Sequence, residues 1–460
     1  RPRLLAYAPI CSAKGDYELS TASGGKLKGA YAFSLETRRL HDESGGLVGS
    51  FCDDAVAPRP FSDESLRKTG LAATAQPPIF ECISVVDSEI IEEIQKPSNE
   101  GAFFVLPSQL NGAEYPSHNL IVHYIEDYKR DHTGGPRAQL AVHPAAGQFL
   151  LDNAACDQRP GGITAVDLLL ERFKAFLRSS SPSPSAPYDL HVRNGYMALP
   201  VCPKELQRHV LRGVRASLHS MRCLCMQDVP ACGLSPSLSS SCKASHRVSL
   251  VYASAVPVQA YLNRDNPDRA FQEEIGRLVI LGQYYGALRA ALQRSPPRVR
   301  IFLMPLGGGV FNNRPEVIAD AVSSAIALLA EEGVDVRARL DVRLLTFKGK
   351  PSERARMERL LRPAPEAEAP APAAASSRGA DAARREVDAP RAAGVEAPVA
   401  VARARAGLAM TREVELPRAA AAVEAPAAAR ASRAVEIDLD DSGDTLPGVP
   451  ESARPREPAA

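Results

Sequence analysis

Between Val248 and Phe347 strand-like and helix-like stretches alternate in an order that a layered α/β arrangement satisfies. Val248 to Ser254 is an apolar, β-branched run that reads as a buried strand. Ala270 to Leu292 places Phe271, Ile275, Leu278, Val279, Leu281, Leu288 and Leu292 on a helical face. Val299 to Leu306 is a second strand. It runs into the glycine-rich turn Pro305-Leu306-Gly307-Gly308-Gly309-Val310-Phe311-Asn312-Asn313. Pro315 to Leu329 is a helix with proline in its first turn, Gly333 ends it, and Val336 to Phe347 is the closing strand. Strands separated by helices pair in parallel, because such a connection needs a crossover. The expected fold is therefore a three-layer α/β/α sandwich with a mixed, largely parallel sheet.

Upstream, the same domain is expected to begin near residue 78, with residues 1–77 a poorly defined extension. Within that extension Gly24 to Phe33 reads as a hairpin arm. Ile79 to Val86 reads as a strand, Ser88 to Ile94 as a short helix stopped by Pro97, and Ala102 to Leu106 as a strand stopped by Pro107. Ile121, Val122, Ile125 and Tyr128 recur at helical spacing and predict an amphipathic helix, broken by Thr133-Gly134-Gly135-Pro136-Arg137. Ala165 to Leu177 is a further helix. The Ser/Pro-rich residues 178–187 read as a linker, and residues 216–245, rich in Ser and Cys, as the rest of a surface insertion at about 178–245. The domain closes near residue 350. From Pro363 to Ala460 the composition collapses to Ala, Pro, Arg and Glu with no stripe wide enough for a core, and that tail is expected to be disordered.

The chain has 460 residues, 45% of them hydrophobic, which is enough for a core without metals or disulfides. With 55 basic and 54 acidic residues the net charge is +1, which speaks against a protein that coats nucleic acid or a polybasic membrane binder. No apolar run has the length of a membrane span. The nine cysteines include no CxxC pair. Cys223-x-Cys225 is a possible metal pair, but ordinary reduced thiols in a loop explain it better, and no metal or cofactor is expected. A reducing, intracellular compartment, cytoplasmic or nuclear, fits this usage. The chain begins at Arg1 rather than Met, which leaves an N-terminal targeting signal open.

The glycine turn carries the strongest chemical argument. In parallel sheets, ligands bind beyond the carboxyl ends of strands, where loops lead into helices. Successive glycines let the backbone approach a ligand without a Cβ in the way, and the following helix offers unpaired N–H groups favourable to phosphate. No Lys follows in Walker fashion, so this is not an ATPase loop.

The order strand, helix, strand, GGGVFNN, helix, strand resembles the C-terminal half of a macro domain, a family that binds ADP-ribose. Its second phosphate loop reads roughly G-x-G-I/V-F/Y-G. Gly307, Gly309, Val310 and Phe311 fit, while Asn312 replaces the last glycine. The resemblance implies that the amides of Gly307, Gly308, Gly309, Val310 and Phe311 hold a diphosphate, with Asn312 beside them, and that Phe311 lines the distal ribose. The stretch Gln283 to Ala291 is similar to the helix that precedes this loop in the family. In the N-terminal half, Ser108 to Gly112 stands where the family has an Asn-bearing loop, with Asn111 as polar anchor and candidate catalytic residue. Gly134 and Gly135 stand where it has a second glycine-rich loop. The match is clearest over residues 248–347.

Other polar sets read as structural. Gln272-Glu273-Glu274 resembles the acidic signature of poly(ADP-ribose) glycohydrolases, but there a glycine triplet precedes the acids, whereas here it follows them. A solvated first helical turn is the better account. His118, His123, His132 and His143 lack the spacing of a zinc helix. No G-x-S-x-G elbow is present. Asn263 sits where it would either form a turn or face the cleft.

In the tail, Val435, Ile437 and Leu439 alternate with acids and resemble a SUMO-interacting motif, which implies strand addition to a SUMO-type partner. Three functions therefore compete. The first is binding of ADP-ribose or a related nucleotide diphosphate, with hydrolysis of ADP-ribose esters open. The second is a non-catalytic interaction protein with a degenerate pocket and a partner-recruiting tail. The third is an unrelated α/β hydrolase or transferase.

Overall fold

The computed structural model describes residues 16–20, 26–34, 36–42, 44–68, 81–131, 133–155, 162–180, 188–232, 246–294 and 298–362. The expected disordered tail and its segment at Val435, Ile437 and Leu439 lie outside those residues, as does most of the 178–187 linker.

The strands with the most continuous apolar runs, over residues 103–107 and 247–253, are buried on both faces. β5 (Ile83–Asp87), β6 (Phe103–Pro107), β10 (Arg247–Ala253), β11 (Val299–Leu303) and β12 (Leu340–Thr346) pair in parallel in the order β10-β6-β11-β12-β5. Phe104 of β6 stacks on Phe302 of β11 with centroids 4.7 Å apart and planes within 4°. Such an offset pair adds roughly 1 kcal/mol beyond the area it buries.

The sheet continues past β10 in antiparallel fashion, so it is mixed. β9 (Leu224–Pro230) pairs with β10, and beyond it lie β4 (Leu47–Cys52), β3 (Arg39–His41), β2 (Lys26–Ser34) and β1 (Asp16–Ser20). This corrects two expectations. The first 77 residues supply strands to the main sheet rather than a loose extension. The stretch read as a surface insertion contains β9, with Leu224, Cys225 and Met226 fully buried. Serine and cysteine hid it, because a small thiol packs in a core as a hydrophobe. Cys232 is disulfide-bonded, so the expectation of reduced thiols fails at that residue. A separate hairpin, β7 (His191–Arg193) and β8 (Tyr196–Ala198), turns at Asn194-Gly195.

Helices cover both faces. Cys225 faces α7 (Arg269–Leu292), sharing a cavity with its Gly286 and Ala290. The next residue, Met226, is in register with Phe51, which packs on Phe149 of α4 (Pro144–Asn153) on the other face. The three-layer α/β/α sandwich read from the sequence is thus the observed architecture. The other helices are α1 (Asp63–Lys68), α2 (Ile90–Gln95), α3 (Gly134–Leu140), α5 (Asp167–Ser180), α6 (Lys204–Ser217), α8 (Pro315–Glu331), α9 (Val336–Arg339) and α10 (Pro351–Leu361). No helix among the described residues is long and apolar enough to cross a membrane.

Local differences from the sequence reading have side-chain causes. The predicted amphipathic helix at 121–128 is an irregular stretch followed by a 3-10 segment, Ile125–Arg130. Gln148 of α4 reaches into it, accepting from the Ile125 N–H at 2.9 Å and donating to the His123 carbonyl at 2.8 Å, and so replaces helical partners. The last strand starts at Leu340, because the Asp335 side chain caps one helical turn through the Ala338 N–H at 3.0 Å.

His143 caps α4 in a similar way, its Nδ1 accepting from the Ala145 N–H at 3.3 Å. Burial pulls its pKa down to about 4 from about 6.5, so the folded state holds it neutral while the unfolded chain protonates. Below pH 6.5 the unfolded state binds the extra proton, so stability falls as pH drops from about 6.5 to about 4. The full effect is roughly 3 kcal/mol at about 1.4 kcal/mol per pH unit. Guanidinium midpoints at pH 7 and pH 5 measure it. In His143→Asn, which keeps a capping acceptor, the acid-side loss is expected to shrink; an unchanged slope would assign it to other groups.

Candidate functional site

The glycine turn leaves β11 at the carboxyl edge of the parallel strands and is held at both ends. At its root, Tyr284 of α7 receives the Leu306 N–H at 3.0 Å and donates its hydroxyl to the Met304 carbonyl at 2.6 Å. At its far end, Asn313 donates to the Val256 carbonyl at 2.9 Å, Asn312 to the Val258 carbonyl at 3.2 Å, and the Val258 N–H to the Phe311 carbonyl at 2.8 Å. Between these anchors Gly308, Gly309 and Val310 are exposed. Among the described residues the N–H groups of Gly309, Val310 and Phe311 have no acceptor.

Phe311 points inward, into a cluster of rings. It lies 5.5 Å from Tyr196 of β8 and 5.5 Å, edge-on, from Tyr261. Tyr196 and Tyr261 are 4.8 Å apart, and His118 meets both edge-on at 6.2 and 6.5 Å. The His118 Nδ1 is closed off without a partner among the described residues, and burial together with Arg193 lowers its pKa. Backbone strain concentrates here: Gln259, Tyr261 and Asn312 all have φ between +49° and +58°. For a residue as bulky as Tyr261 that conformation costs on the order of 1–2 kcal/mol and persists because its surroundings impose it. Gln272 supplies part of that constraint, its Oε1 accepting from the Gln259 N–H at 2.7 Å.

The strand end of β6 completes the site. The loop after it carries Asn111 and Glu114, and α3 opens against it. A Cβ on Gly134 would lie 3.5 Å from the Met304 side chain, so the Thr133–Arg137 segment does reach the root of the glycine turn. Gly135 is buried against the Pro107 carbonyl and Glu114, where a Cβ would come within 2.1 Å of each. The sequence placed Gly134, Gly135 and Gly307–Asn312 in one site, and they lie at one strand edge.

Asn111 is different. It is fully buried, its amide donates to the Ala155 carbonyl at 2.8 Å, and its Oδ1 accepts from the Ala113 N–H at 3.2 Å. It holds the loop together instead of facing the cleft, which corrects its reading as a catalytic and ligand-contacting anchor. Asn263 is likewise internal, bridging Leu199, Met197 and Pro257.

The Gln272-Glu273-Glu274 trio is structural, as expected, but it is not a solvated turn. Gln272 is fully buried, Glu273 pairs with Arg269 at 2.8 Å and Arg314 at 2.6 Å, and Glu274 pairs with Arg215 and Arg277 at 2.7 and 3.0 Å. Glu274→Gln should lower stability by about 1 kcal/mol, the scale of a half-exposed pair, and leave ligand affinity unchanged. Thermal melts with calorimetry check this; a large affinity loss would make the trio part of the site.

Tyr196, Tyr261, His118 and Glu114 were not picked out as site residues from the sequence. Asn194-Gly195, a strong hairpin signal, marked the turn that delivers Tyr196. Nothing local marks the others, since their proximity is created by the fold.

No family model matches the sequence, and the search of curated proteins likewise gives no match. Solved structures similar to this chain include the poly(ADP-ribose) glycohydrolase of Thermomonospora curvata, with 16% identity over 75% of this chain and 94% of that chain at a TM-score of 0.34. The same enzyme bound to the inhibitor ADP-HPD gives 15% identity, 75% and 93% coverage and a TM-score of 0.33. The glycohydrolase of Deinococcus radiodurans in complex with ADP-ribose gives 14% identity, 65% and 88% coverage and a TM-score of 0.33. Overlaps this partial leave the function to be argued from the site's own geometry.

Proposed function

We propose that the cleft binds ADP-ribose or a closely related nucleoside diphosphate. The observation that carries this reading is the row of amides from Gly309 to Phe311 that have no acceptor among the described residues, set beside a buried aromatic cluster. Free backbone N–H groups on a pinned loop suit a diphosphate, because no reorganisation is needed when the anion arrives. The loop leads into α8, whose N-terminal end adds positive potential. The rings of Phe311, Tyr261 and Tyr196 supply apolar faces for a ribose or base next to that anion.

Binding is the reading favoured over catalysis by the residues the sequence had offered. Asn111 and the Gln272-Glu273-Glu274 trio are all committed to internal bonds. A reader of ADP-ribose needs none of them free.

Calorimetry of the full chain with ADP-ribose is the direct test. Binding tighter than about 1 mM, or roughly −4 kcal/mol, with ribose 5-phosphate much weaker, is expected. Binding no stronger than that of free phosphate would sink the assignment.

A further inference from the structure

We propose that Cys52 and Cys225 form a thiol–disulfide exchange site, which reacts with a small disulfide and closes into a cross-strand bond between β4 and β9. The inference stands independently of the binding reading above.

Position is the first support. Cys52 of β4 and Cys225 of β9 are directly opposite one another in the antiparallel pair, and the register from Ser50 to Cys52 runs without a shift. Opposed residues put their side chains on the same face of the sheet, and Cys223, two residues before Cys225, returns to that face. All three thiols are free and line one cavity of about 280 Å³ under α7. Gly286 lets the helix lie close to them, since a Cβ there would come within 3.1 Å of Cys223 Cβ. None of the residues lining this cavity belongs to the glycine turn or the aromatic cluster.

Spacing is the second support. The Cys223 N–H donates to the Asp54 carbonyl at 2.9 Å, and narrow pairs of this kind recur at every second residue, so Cys52 and Cys225 are a hydrogen-bonded pair as well. Residues paired in that way have Cα atoms about 5.5 Å apart, inside the range of about 4.4–6.8 Å that a disulfide spans. Their Cβ atoms, about 4.5–5.5 Å apart, have to close by on the order of 1 Å. The bond forms without unfolding and, holding that displacement, is readily reduced again.

Access sets the order of reaction. Cys52 is half-buried and Cys225 is enclosed, so Cys52 meets the external disulfide and Cys225 resolves it. The charged groups around the thiols are Asp53, Asp54, Asp228, Arg38, Arg289 and Arg294. Asp53 is paired with Arg38 and Arg222, Asp228 with Arg294, and Arg289 with Glu332. Asp54 lines the cavity and makes no ion pair among the described residues, which favours a disulfide that carries amino groups. Burial first, and then Asp54, raise the Cys52 pKa, while burial pushes Cys223 up to about 12 and Cys225 well above the usual thiol range. The thiolate is the attacking form, so exchange is slow at neutral pH and quickens as pH rises.

In the exchange, the Cys52 sulfur attacks one sulfur of the small disulfide, whose S–S bond breaks to release one thiolate. The Cys225 sulfur then attacks the Cys52 sulfur of the mixed disulfide and expels the second thiolate. The two cysteine protons end on the two released thiols. Two protein thiols are oxidised, and one external disulfide is reduced.

The test treats the folded full chain with cystamine, traps the remaining thiols by alkylation and maps the disulfides by mass spectrometry. The expected new linkage is Cys52–Cys225, formed at least about tenfold faster at about pH 9 than at about pH 7. In Cys225→Ser the reaction should stop at a mixed disulfide on Cys52. In Cys52→Ser, labelling of Cys225 should slow by about tenfold or more. A linkage of Cys223 to either thiol in place of Cys52–Cys225 overturns the proposal, as does recovery of Cys52 and Cys225 both as alkylated thiols. Equal rates at the two pH values overturn it too. Where a serine variant does not fold, the wild-type map and its pH dependence decide alone.

Discussion

Replacing Gly309 by glutamate is expected to weaken ADP-ribose binding by on the order of 100-fold while the melting transition stays in place. A Cβ at Gly309 meets nothing within 4 Å, so the fold has room for the side chain. The new carboxylate would sit among the free amides of Gly309, Val310 and Phe311, competing for them and repelling a diphosphate. Losing two charge-assisted hydrogen bonds, at about 1.5–3 kcal/mol each, accounts for the size of the effect. Gly308 is a poorer position for this test, because a Cβ there would press on Ile318 at 3.1 Å. Calorimetry and a thermal melt on one preparation decide it; unchanged affinity would remove the loop from the site.

Gly307→Ala should do the opposite, destabilising the protein by about 3 kcal/mol before any question of ligand arises. Gly307 has a φ of +72°, and an added Cβ would lie 2.4 Å from Asn313 Nδ2 and 2.5 Å from Ala255 Cβ. The left-handed conformation costs a non-glycine residue about 1–2 kcal/mol, and overpacking adds about 1–3 kcal/mol. Asn313 has no freedom to retreat, since its amide is held by the Val256 carbonyl. A denaturant midpoint measures the loss; a change under about 0.5 kcal/mol, the scale of an ordinary surface substitution, would contradict this account of the turn. Two glycines two positions apart thus separate shaping the loop from leaving its amides open.

In the parallel half of the sheet, β6, β10 and β11 were legible because they are largely buried on both faces and read as mostly apolar runs. β6, β10 and β11 fall within a residue or so of where the sequence put them, apart from the C-terminal limit of β11, which stops at Leu303. The antiparallel half was not legible. β9 includes Cys, Met, Gln and Asp, and β1 to β4 mix charged and polar residues with apolar ones, so the place of β9 in the sheet depends on pairing partners that include β4, far away in the chain.

By itself the sequence determined the αβ alternation after Val248 and the glycine turn, because backbone conformation and strand burial are dictated by residues near one another. Tertiary structure decided which polar groups are spent and which are left over. Asn111, Asn263 and Gln272 each look like site residues in the chain, yet long-range backbone partners consume them. Glu114 looks ordinary in the chain, yet its Oε1 is buried against Gly135 without a donor among the described residues. Whether a polar side chain stabilises the fold or faces a ligand depends on what meets it in the folded chain, and that meeting is set by segments from 13 to 66 residues apart.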